Sequence, residues 1–280
     1  MSGKALTLKE LQQVELNILQ AFHDFCQEHH LRYYLSGGTG IGLIRHQGFI
    51  PWDDDIDLCM PRPDYMRFLE LCKDGSLTEN YKLNNRQLDP SCPFAITRIF
   101  DNRTEVTFDN FRLPYTIGCW IDIFCLDGVH PDPAKRGKQF KQMRIAQDLM
   151  ICCLTKFGGK RRSKVVTVLQ YGLAPFIPFI RMVGAKRYLN WIERICLRYP
   201  YEESEYVAVI GGRAGVKETM KKADMDPAVI KTFEGRQFYT MANYHDYLTN
   251  LYGDYMQPPP ESQRESRHEI NVYWKDGFGS

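Results

Sequence analysis

Residues 36 to 60 carry the sequence SGGTGIGLIRHQGFIPWDDDIDLCM, which opens on a glycine turn, Gly37-Gly38, and closes on a carboxylate run. If residues 55 to 58 are extended, Asp55 and Asp57 project to one face of the strand, and the apolar residues beside them enter the core. Two neighbouring carboxylates repel each other, and a hard divalent cation converts this repulsion into coordination. The stretch therefore predicts a metal site beside a turn that can hold a phosphate.

The segments around this stretch predict helices and a strand that frame the turn. Apolar residues recur every three or four positions from Leu8 to His29, which predicts an amphipathic helix with Thr7 as its N-cap. Tyr33-Tyr34-Leu35 predicts a strand, and Thr39 to Arg45 predicts a helix whose N-terminus faces whatever lies beyond the glycines. Another helix is predicted from Asp64 to about Lys73.

Later strands supply a candidate third carboxylate. Aromatic and β-branched runs between turn residues predict strands at Tyr81 to Asn84, Ala95 to Phe100, Glu105 to Phe108 and Cys119 to Phe124. A carboxylate among large apolar strand residues is unfavourable unless it meets a cation or donors, so Asp122 is a candidate ligand. Two alternatives stay open: Asp122 faces solvent, or Asp101 or Asp127 takes its part. The elements together predict an α+β fold with a mixed sheet.

Composition divides the chain into three predicted parts: a catalytic core at 1–132, a helical insertion at 133–205, and a C-terminal segment at 206–280 that packs back on the core. Within the insertion, residues 165–180 are uncharged but short and interrupted by prolines, which argues against a membrane span. Basic residues on both sides, from 160 to 187, suit a segment lying in the membrane interface. A buried helical hairpin, with the basic cluster as a solvated loop, is the alternative.

Bulk composition limits the functional class and the compartment. A chain of 280 residues with 44% hydrophobic and 25% charged content has the size of an ordinary globular enzyme, and a net charge of +2 excludes a strongly basic nucleic-acid surface. The nine cysteines show no zinc-type spacing and are expected to be reduced thiols. Because the N-terminal stretch lacks the apolar run of a secretory signal, we expect a cytoplasmic protein.

The glycine turn, helix and acidic strand of residues 36 to 60 closely resemble the signature of the LicD family. The resemblance continues at residues 120–124, WIDIF, and at residues 252–256, YGDYM, which Pro258-Pro259 follow. It implies a nucleotidyltransferase-like mixed sheet flanked by helices. It also implies transfer of phosphocholine from CDP-choline to a hydroxyl of a cell-surface glycan, such as lipopolysaccharide or a teichoic acid precursor. The fukutin-like members of the family move ribitol phosphate instead.

Joined to the chemistry of the residues, the resemblance implies a role for each side chain of the motifs. Asp55, Asp57 and Asp122 are expected to hold Mg²⁺ or Mn²⁺, and Asp122 also to accept the proton of the attacking hydroxyl. The expected donor-phosphate ligands are Gly37, Gly38, Thr39, Arg45 and His46, the last two being alternatively helix C-terminal cations. The residues expected to orient these ligands are Trp52, Asp53 and Asp54. Further candidates for a phosphate contact are Arg236, Arg264, Arg267 and His268.

Alternative hypotheses remain open for the transferred group and for the class of reaction. A quaternary ammonium is recognised by aromatic faces, for which Trp52, Tyr115 and Trp120 are candidates, although core packing explains each equally well. Other CDP-linked cargoes (glycerol or ribitol phosphate), an NTP-dependent nucleotidyltransferase, and a scaffold that binds metal or nucleotide without catalysis are the competing hypotheses. A calcium loop at residues 53–64 is disfavoured because its sixth position is Leu58 rather than glycine. A lipid-linked acceptor would agree with membrane contact at 160–187.

Overall fold

The computed structural model describes residues 5–89, 91–109, 111–156, 172, 174–264 and 271–278. The helices are α1 (Leu8–Glu28), α2 (Gly37–Ile41), α3 (Arg62–Leu71), α4 (Pro133–Leu154), α5 (Ile177–Val183), α6 (Ala185–Cys196) and α7 (Tyr244–Tyr252). The predicted basic cluster at 160–164, most of the apolar segment at 165–180, and the candidates Arg267 and His268 lie outside the described residues.

A mixed sheet of seven strands forms the centre of the molecule. Its strands are β1 (Tyr34–Leu35), β2 (Asp57–Pro61), β3 (Tyr81–Asn84), β4 (Thr97–Asp101), β7 (Trp120–Val129), β8 (Tyr206–Ala208) and β9 (Met220–Lys221). The order is β1-β2-β7-β4-β3, with β8 and then β9 added along the second half of β7. Strands β2 and β7 run parallel, and the other neighbours run antiparallel. The predicted α+β fold with a mixed sheet is confirmed.

Two small sheets lie beside the main one. Strands β5 (Thr104–Phe108), β6 (Tyr115–Ile117) and β12 (Tyr273–Trp274) form the first, in the order β12-β5-β6. Strands β10 (Val229–Phe233) and β11 (Arg236–Thr240) form a hairpin. The turn of this hairpin braces the loop ahead of the acidic run, because Glu234 Oε1 accepts a hydrogen bond of 3.0 Å from the amide of Phe49.

Helix α1 is specified by its cap and by its apolar face. Thr7 Oγ1 accepts from the Glu10 amide at 3.3 Å, and Glu10 Oε2 accepts from the Thr7 amide at 2.7 Å, so the predicted cap is a complete capping box. Ile18, Leu19 and Phe22 are fully buried and form the apolar face of the helix. This face packs against β4 and β7, so α1 covers one side of the sheet.

The elements around the glycine turn begin at other residues than predicted. Helix α2 starts at Gly37 rather than Thr39 and continues as a π-helical turn over Gly42–His46. Strand β2 starts at Asp57, but the predicted alternation holds, since Ile56 is fully buried while Asp57 is half-buried. The N-terminal end of α2 therefore faces the acidic residues at the start of β2.

The helices that follow β7 share a core of their own. Residues of α4, α5 and α6, among them Met143, Ile180 and Ile192, bury one another's apolar faces and contact β8. Arg62 of α3 fastens α6 to the sheet, because it donates to Asp127 of β7 at 2.6 and 2.9 Å and to Glu193 of α6 at 3.2 Å. The domain boundaries at 132 and 205 stay a prediction. Among the described residues, no helix combines the length and apolar character that a bilayer crossing requires.

Candidate functional site

Two carboxylates lie side by side where the parallel strands begin. Asp57 of β2 is in register with Asp122 of β7, and neighbouring strands are about 4.8 Å apart. Backbone contacts hold Asp57 in place, since its amide donates to Thr39 Oγ1 at 2.8 Å and its carbonyl accepts from the Ser36 amide at 3.1 Å. The same contacts fix the glycine turn between Ser36 and Thr39 against the acidic strand.

A second group of carboxylates stands in the loop before β2. Asp53, Asp54 and Asp55 each offer one oxygen, and the three oxygens lie within 4.8 Å of one another. Helix α1 supports this loop, because Gln12 Nε2 donates to the Asp53 carbonyl at 2.9 Å. Asp53 and Asp55 line the same cavity as Asp57 and Asp122. The site therefore gathers more negative charge than the predicted three ligands supply.

The negative charges act on one another. Burial raises the pKa of Asp57 well above its usual value, and the charges of Asp55, Asp122 and Asp53 raise it further. Burial, followed by the charges of the acidic loop, also raises the pKa of Glu15 on α1, whose side chain is only 3% exposed. A hard divalent cation relieves such repulsion and prefers carboxylate oxygens, so the donor set fits Mg²⁺ or Mn²⁺.

Asp122 is oriented by an arginine that the sequence did not single out. Arg98 of β4, in register with Asp122, donates from Nε to Asp122 Oδ1 at 2.8 Å. Its guanidinium lies over the rings of Phe94 at 3.7 Å and Trp120 at 4.4 Å. Within the described chain no hydrogen bond reaches Asp122 Oδ2, so this oxygen remains for a ligand or a proton.

The two alternative third ligands are engaged elsewhere. Asp101 pairs with Arg103 at 2.6 Å, and Asp127 pairs with Arg62. Both carboxylates are nearly inaccessible and neither lines the cavity. The geometry thus favours Asp122 over Asp101 and Asp127 as the partner of Asp57.

A cavity of about 930 Å³ opens over these carboxylates. Besides the acidic residues, its walls include the glycine turn, the last turn of α4 with Leu154, a second glycine-rich loop at 211–214, and residues of the C-terminal stretch from Tyr252 to Gln263. Arg213 of the second loop is exposed and lines the cavity. Its positive charge lowers the pKa of Asp57, but this effect is smaller than the rise caused by burial and by the neighbouring carboxylates. The cavity is large enough for a nucleotide-sized ligand, and phosphates beside the acidic residues would require a cation between them.

The predicted phosphate ligands do not all reach this cavity. Gly37, Gly38 and Arg45 line it, whereas Thr39 is buried and its hydroxyl holds β2. Arg45 also ties down the C-terminal stretch, since Nη1 donates to the Tyr255 carbonyl at 2.6 Å. His46 accepts from Arg45 Nε at 3.0 Å and lies outside the lining, and burial followed by the charge of Arg45 lowers its pKa.

The other sequence candidates have varied positions. Trp52 lines the cavity, and Arg264 lies over its ring at 5.4 Å. Trp120 stacks on Arg98, and Tyr115 bonds to Asn84 outside the lining. Arg236 of β11 donates to Asn17 on α1, also away from the cavity. The residues that sequence analysis missed are Arg98, Arg213, Glu218 and Tyr247. A second glycine pair, Gly211-Gly212, is a sequence signal for Arg213 and Glu218, whereas no local signal marks Arg98 or Tyr247.

Comparison with known proteins agrees with this geometry. The sequence model of the family described as LicD/FKTN/FKRP, nucleotidyltransferase domain, matches residues 30–111, which include the glycine turn and the acidic loop. The chain is also similar to two uncharacterised proteins, of Rickettsia typhi and Rickettsia prowazekii. Both are 32% identical, over 68 and 72 residues that cover 24% and 25% of this chain and 20% and 24% of theirs.

A much longer match covers both ends of the chain. The Lipopolysaccharide cholinephosphotransferase LicD of Haemophilus influenzae is 34% identical over 274 residues, which is 96% of this chain and 99% of the relative. The match therefore takes in the acidic loop, the strand that carries Asp122, and the C-terminal wall of the cavity. The expected nucleotidyltransferase-like α+β fold is confirmed, and the chain belongs to the LicD family.

Proposed function

We propose that this protein is a metal-dependent transferase that moves phosphocholine from CDP-choline to a hydroxyl of a cell-surface glycan. One observation carries the proposal: Asp57 and Asp122 lie in register beside the Gly37-Gly38 turn, at the floor of a cavity of about 930 Å³. The relative from Haemophilus influenzae, whose name states cholinephosphotransferase activity on lipopolysaccharide, supports phosphocholine as the cargo and lipopolysaccharide as the acceptor class.

The proposed reaction is a displacement at the phosphorus that bears choline. The acceptor hydroxyl oxygen forms a bond to this phosphorus, the bond from phosphorus to the bridging oxygen breaks, and CMP leaves with the electron pair. Asp122 Oδ2 takes the hydroxyl proton, because Oδ1 is occupied by Arg98. Amides at the start of α2 and the cations Arg45 and Arg213 face the charge of the diphosphate.

The same residues would hold the proposed Mg²⁺ or Mn²⁺. Asp55, Asp57 and Asp122 are the favoured ligands, since all three line the cavity and their negative charges repel one another. When bound, the cation would neutralise the diphosphate and stabilise the departing CMP. Asp53 and Asp54 are close enough to Asp55 to orient it or to share the ion.

The test is an assay of purified protein with Mg²⁺, a lipopolysaccharide acceptor lacking choline, and in turn CDP-choline, CDP-glycerol, CDP-ribitol and the NTPs. We expect CMP release from CDP-choline with transfer of labelled choline to the acceptor, and loss of both on adding EDTA. Asp57→Asn should lower turnover on the order of a thousandfold. The exposed Asp109→Asn serves as the matched control. Pyrophosphate from an NTP, or full activity in Asp57→Asn, would reject the proposal.

We further propose that the region 160–187 contacts the membrane from the cytoplasmic side. In its described part, Phe176, Phe179 and Met182 are 58%, 63% and 77% exposed. Lys186 and Arg187 follow them and are exposed as well. An exposed apolar cluster next to basic side chains fits the boundary between acyl chains and anionic headgroups.

Flotation with vesicles tests this contact. Phe179→Ser combined with Met182→Ser should abolish binding to vesicles rich in anionic lipid, and high salt should weaken the binding of the unchanged protein. Ile230→Ser is the control, because Ile230 is 55% exposed and lies on the β10–β11 hairpin rather than in the region 160–187. Equal flotation of the double variant and the unchanged protein would exclude the contact.

A further inference from the structure

One wall of the cavity contains a buried carboxylate that the proposed reaction does not use. Glu218 is 9% exposed and lines the cavity at the end of a short helical turn, Gly215–Glu218. Its carboxylate accepts from the amide of Ala214, and within the described residues no lysine or arginine forms an ion pair with it. An ionised carboxylate that is buried without a cation is unfavourable, and a cationic ligand would stabilise it.

The backbone makes room for this carboxylate. A methyl group built on Gly212 would lie 2.5 Å from Glu218 Oε1, so a side chain at this position would displace the carboxylate. Burial raises the pKa of Glu218 to about 7, and no lysine or arginine is among the causes that would lower it. The charged residues of the acidic loop are not among the causes of this shift, so Glu218 forms a separate part of the cavity.

Two aromatic residues line the same cavity as Glu218. Tyr247 of α7 is an electrostatic neighbour of Glu218, lines the cavity, and has a hydroxyl that accepts from the amide of Gly37. This contact holds Tyr247 beside the glycine turn, and the face of its ring is the surface that can meet a cationic ligand. Phe124 of β7 also lines the cavity and is in register with Cys59, another electrostatic neighbour of Glu218. A carboxylate with aromatic faces is the environment that binds a quaternary ammonium.

The sheet sets the distance from this group to the carboxylate pair Asp57 and Asp122. Cys59 and Phe124 each follow the carboxylate pair Asp57 and Asp122 by two residues on the same strands, and so share its face. Two residues of a parallel strand span about 6.6 Å. The ethylene linker of phosphocholine joins its phosphate to its ammonium over a comparable length. Resting on the proposed function, we propose that Glu218, Tyr247 and Phe124 form the subsite for the quaternary ammonium of the cargo.

The probe is choline itself, titrated into the full-length protein with Mg²⁺ and followed by calorimetry. The neutral isostere 3,3-dimethylbutan-1-ol is titrated in parallel. We expect choline to bind and the isostere to bind at least tenfold more weakly. Glu218→Gln should raise the Kd for choline at least tenfold, whereas Glu203→Gln, the same change at an exposed position, should leave it unchanged. Tyr247→Phe should retain choline binding, and Tyr247→Leu should lose it.

The kinetic assay separates this inference from the proposed reaction. With CDP-choline as donor, Glu218→Gln should raise KM about tenfold and change kcat much less. Circular dichroism verifies that the variant is folded. An unchanged Kd and KM in Glu218→Gln, or equal binding of choline and its isostere, would overturn the subsite. Choline binding that depends on Glu218, in a protein that releases no CMP from CDP-choline, would support the subsite and refute the transfer reaction.

Discussion

Gly37 combines a backbone conformation and a close contact that both favour glycine. Its φ is +57°, and a methyl group built there would lie 3.3 Å from Asp57 Oδ2. Gly75 has a similar φ of +78° but no atom within 4 Å of the corresponding position. The two glycines therefore share the backbone requirement and differ in the contact with the candidate site.

We expect Gly37→Ala to lower the rate of CMP release by at least tenfold, because the new methyl group presses on the Asp57 carboxylate and strains the turn. Both substitutions should destabilise the fold by about 1 kcal/mol, because alanine is strained at a positive φ. Gly75→Ala should leave the rate of CMP release unchanged. Urea unfolding and the CMP assay together measure both effects. Equal rates in the two variants would mean that the turn is not part of the site.

Arg98 couples the stability of the sheet to the orientation of Asp122. The side chains of Arg98 and Asp122 are 10% and 13% exposed, so removal of one partner leaves the other charge almost buried. We expect Arg98→Met to lower the free energy of unfolding by about 3 to 5 kcal/mol. In the background of Asp122→Asn the same substitution should have a smaller effect. A double-mutant cycle by urea unfolding measures the difference, and additive effects would argue against the coupling.

At the scale of elements, Arg62 joins helix α3, strand β7 and helix α6. Asp127 of the network is 3% exposed at its side chain, whereas Glu193 is 42% exposed. We expect Asp127→Asn to reduce the free energy of unfolding by several kcal/mol, because it breaks a buried bidentate pair. Glu193→Gln should change it by less than about 1 kcal/mol, since water screens the exposed carboxylate. Comparable losses in both variants would show that the helix contact, rather than the buried pair, carries the stability.

The elements that sequence patterns predicted well are those whose signals are local. The capping box of Thr7 and Glu10 and the alternation around Ile56 depend on residues a few positions apart, so both could be recognised in the sequence. The start of α2 at Gly37 was missed because glycine lowers helix propensity, and the contacts of the turn with Asp57 override this preference.

Sequence patterns could not supply the pairing of strands. The meeting of Arg98 with Asp122 depends on the antiparallel register of β4 and β7, and no local signal marks it. Glu218 reaches the cavity only because β8 and β9 extend the sheet from β7 and bring its loop back to the glycine turn. Asp57 and Asp122, by contrast, stood out because carboxylates beside large apolar residues are unusual on a strand.

At the scale of the whole molecule, the cavity unites parts of the chain that are far apart in sequence. Its walls include Gly37, Leu154, Arg213 and Tyr255, so the folded state must gather all four before a ligand can bind. The gathered groups include the half-buried Asp57 and the buried Glu218, and among the described residues neither acid forms an ion pair with a lysine or arginine. We infer that the site lowers the stability of the unliganded protein, as is common for preorganised functional sites.

Glu218 gives this destabilisation a pH dependence. Its pKa is about 7 in the folded protein against a usual 4.5, so between these values the unfolded chain loses the proton while the folded chain keeps it. Stability therefore falls as pH rises through this window and is level above it, by about 3 kcal/mol at most. Its neighbours Cys59 and Tyr247 do not titrate in this window, because burial raises the pKa of both above their already high values.

We accordingly expect Glu218→Gln and the unchanged protein to unfold at the same urea concentration at pH 4.5 or below. As pH rises to 8, the urea midpoint of Glu218→Gln should exceed that of the unchanged protein by a growing margin. Glu203→Gln should show no such divergence, since its side chain is exposed. The measurement is a urea titration at half-unit pH steps without ligand. A stability difference between Glu218→Gln and the unchanged protein that stays constant with pH would mean that the Glu218 carboxyl is as well solvated in the folded protein as in the unfolded chain.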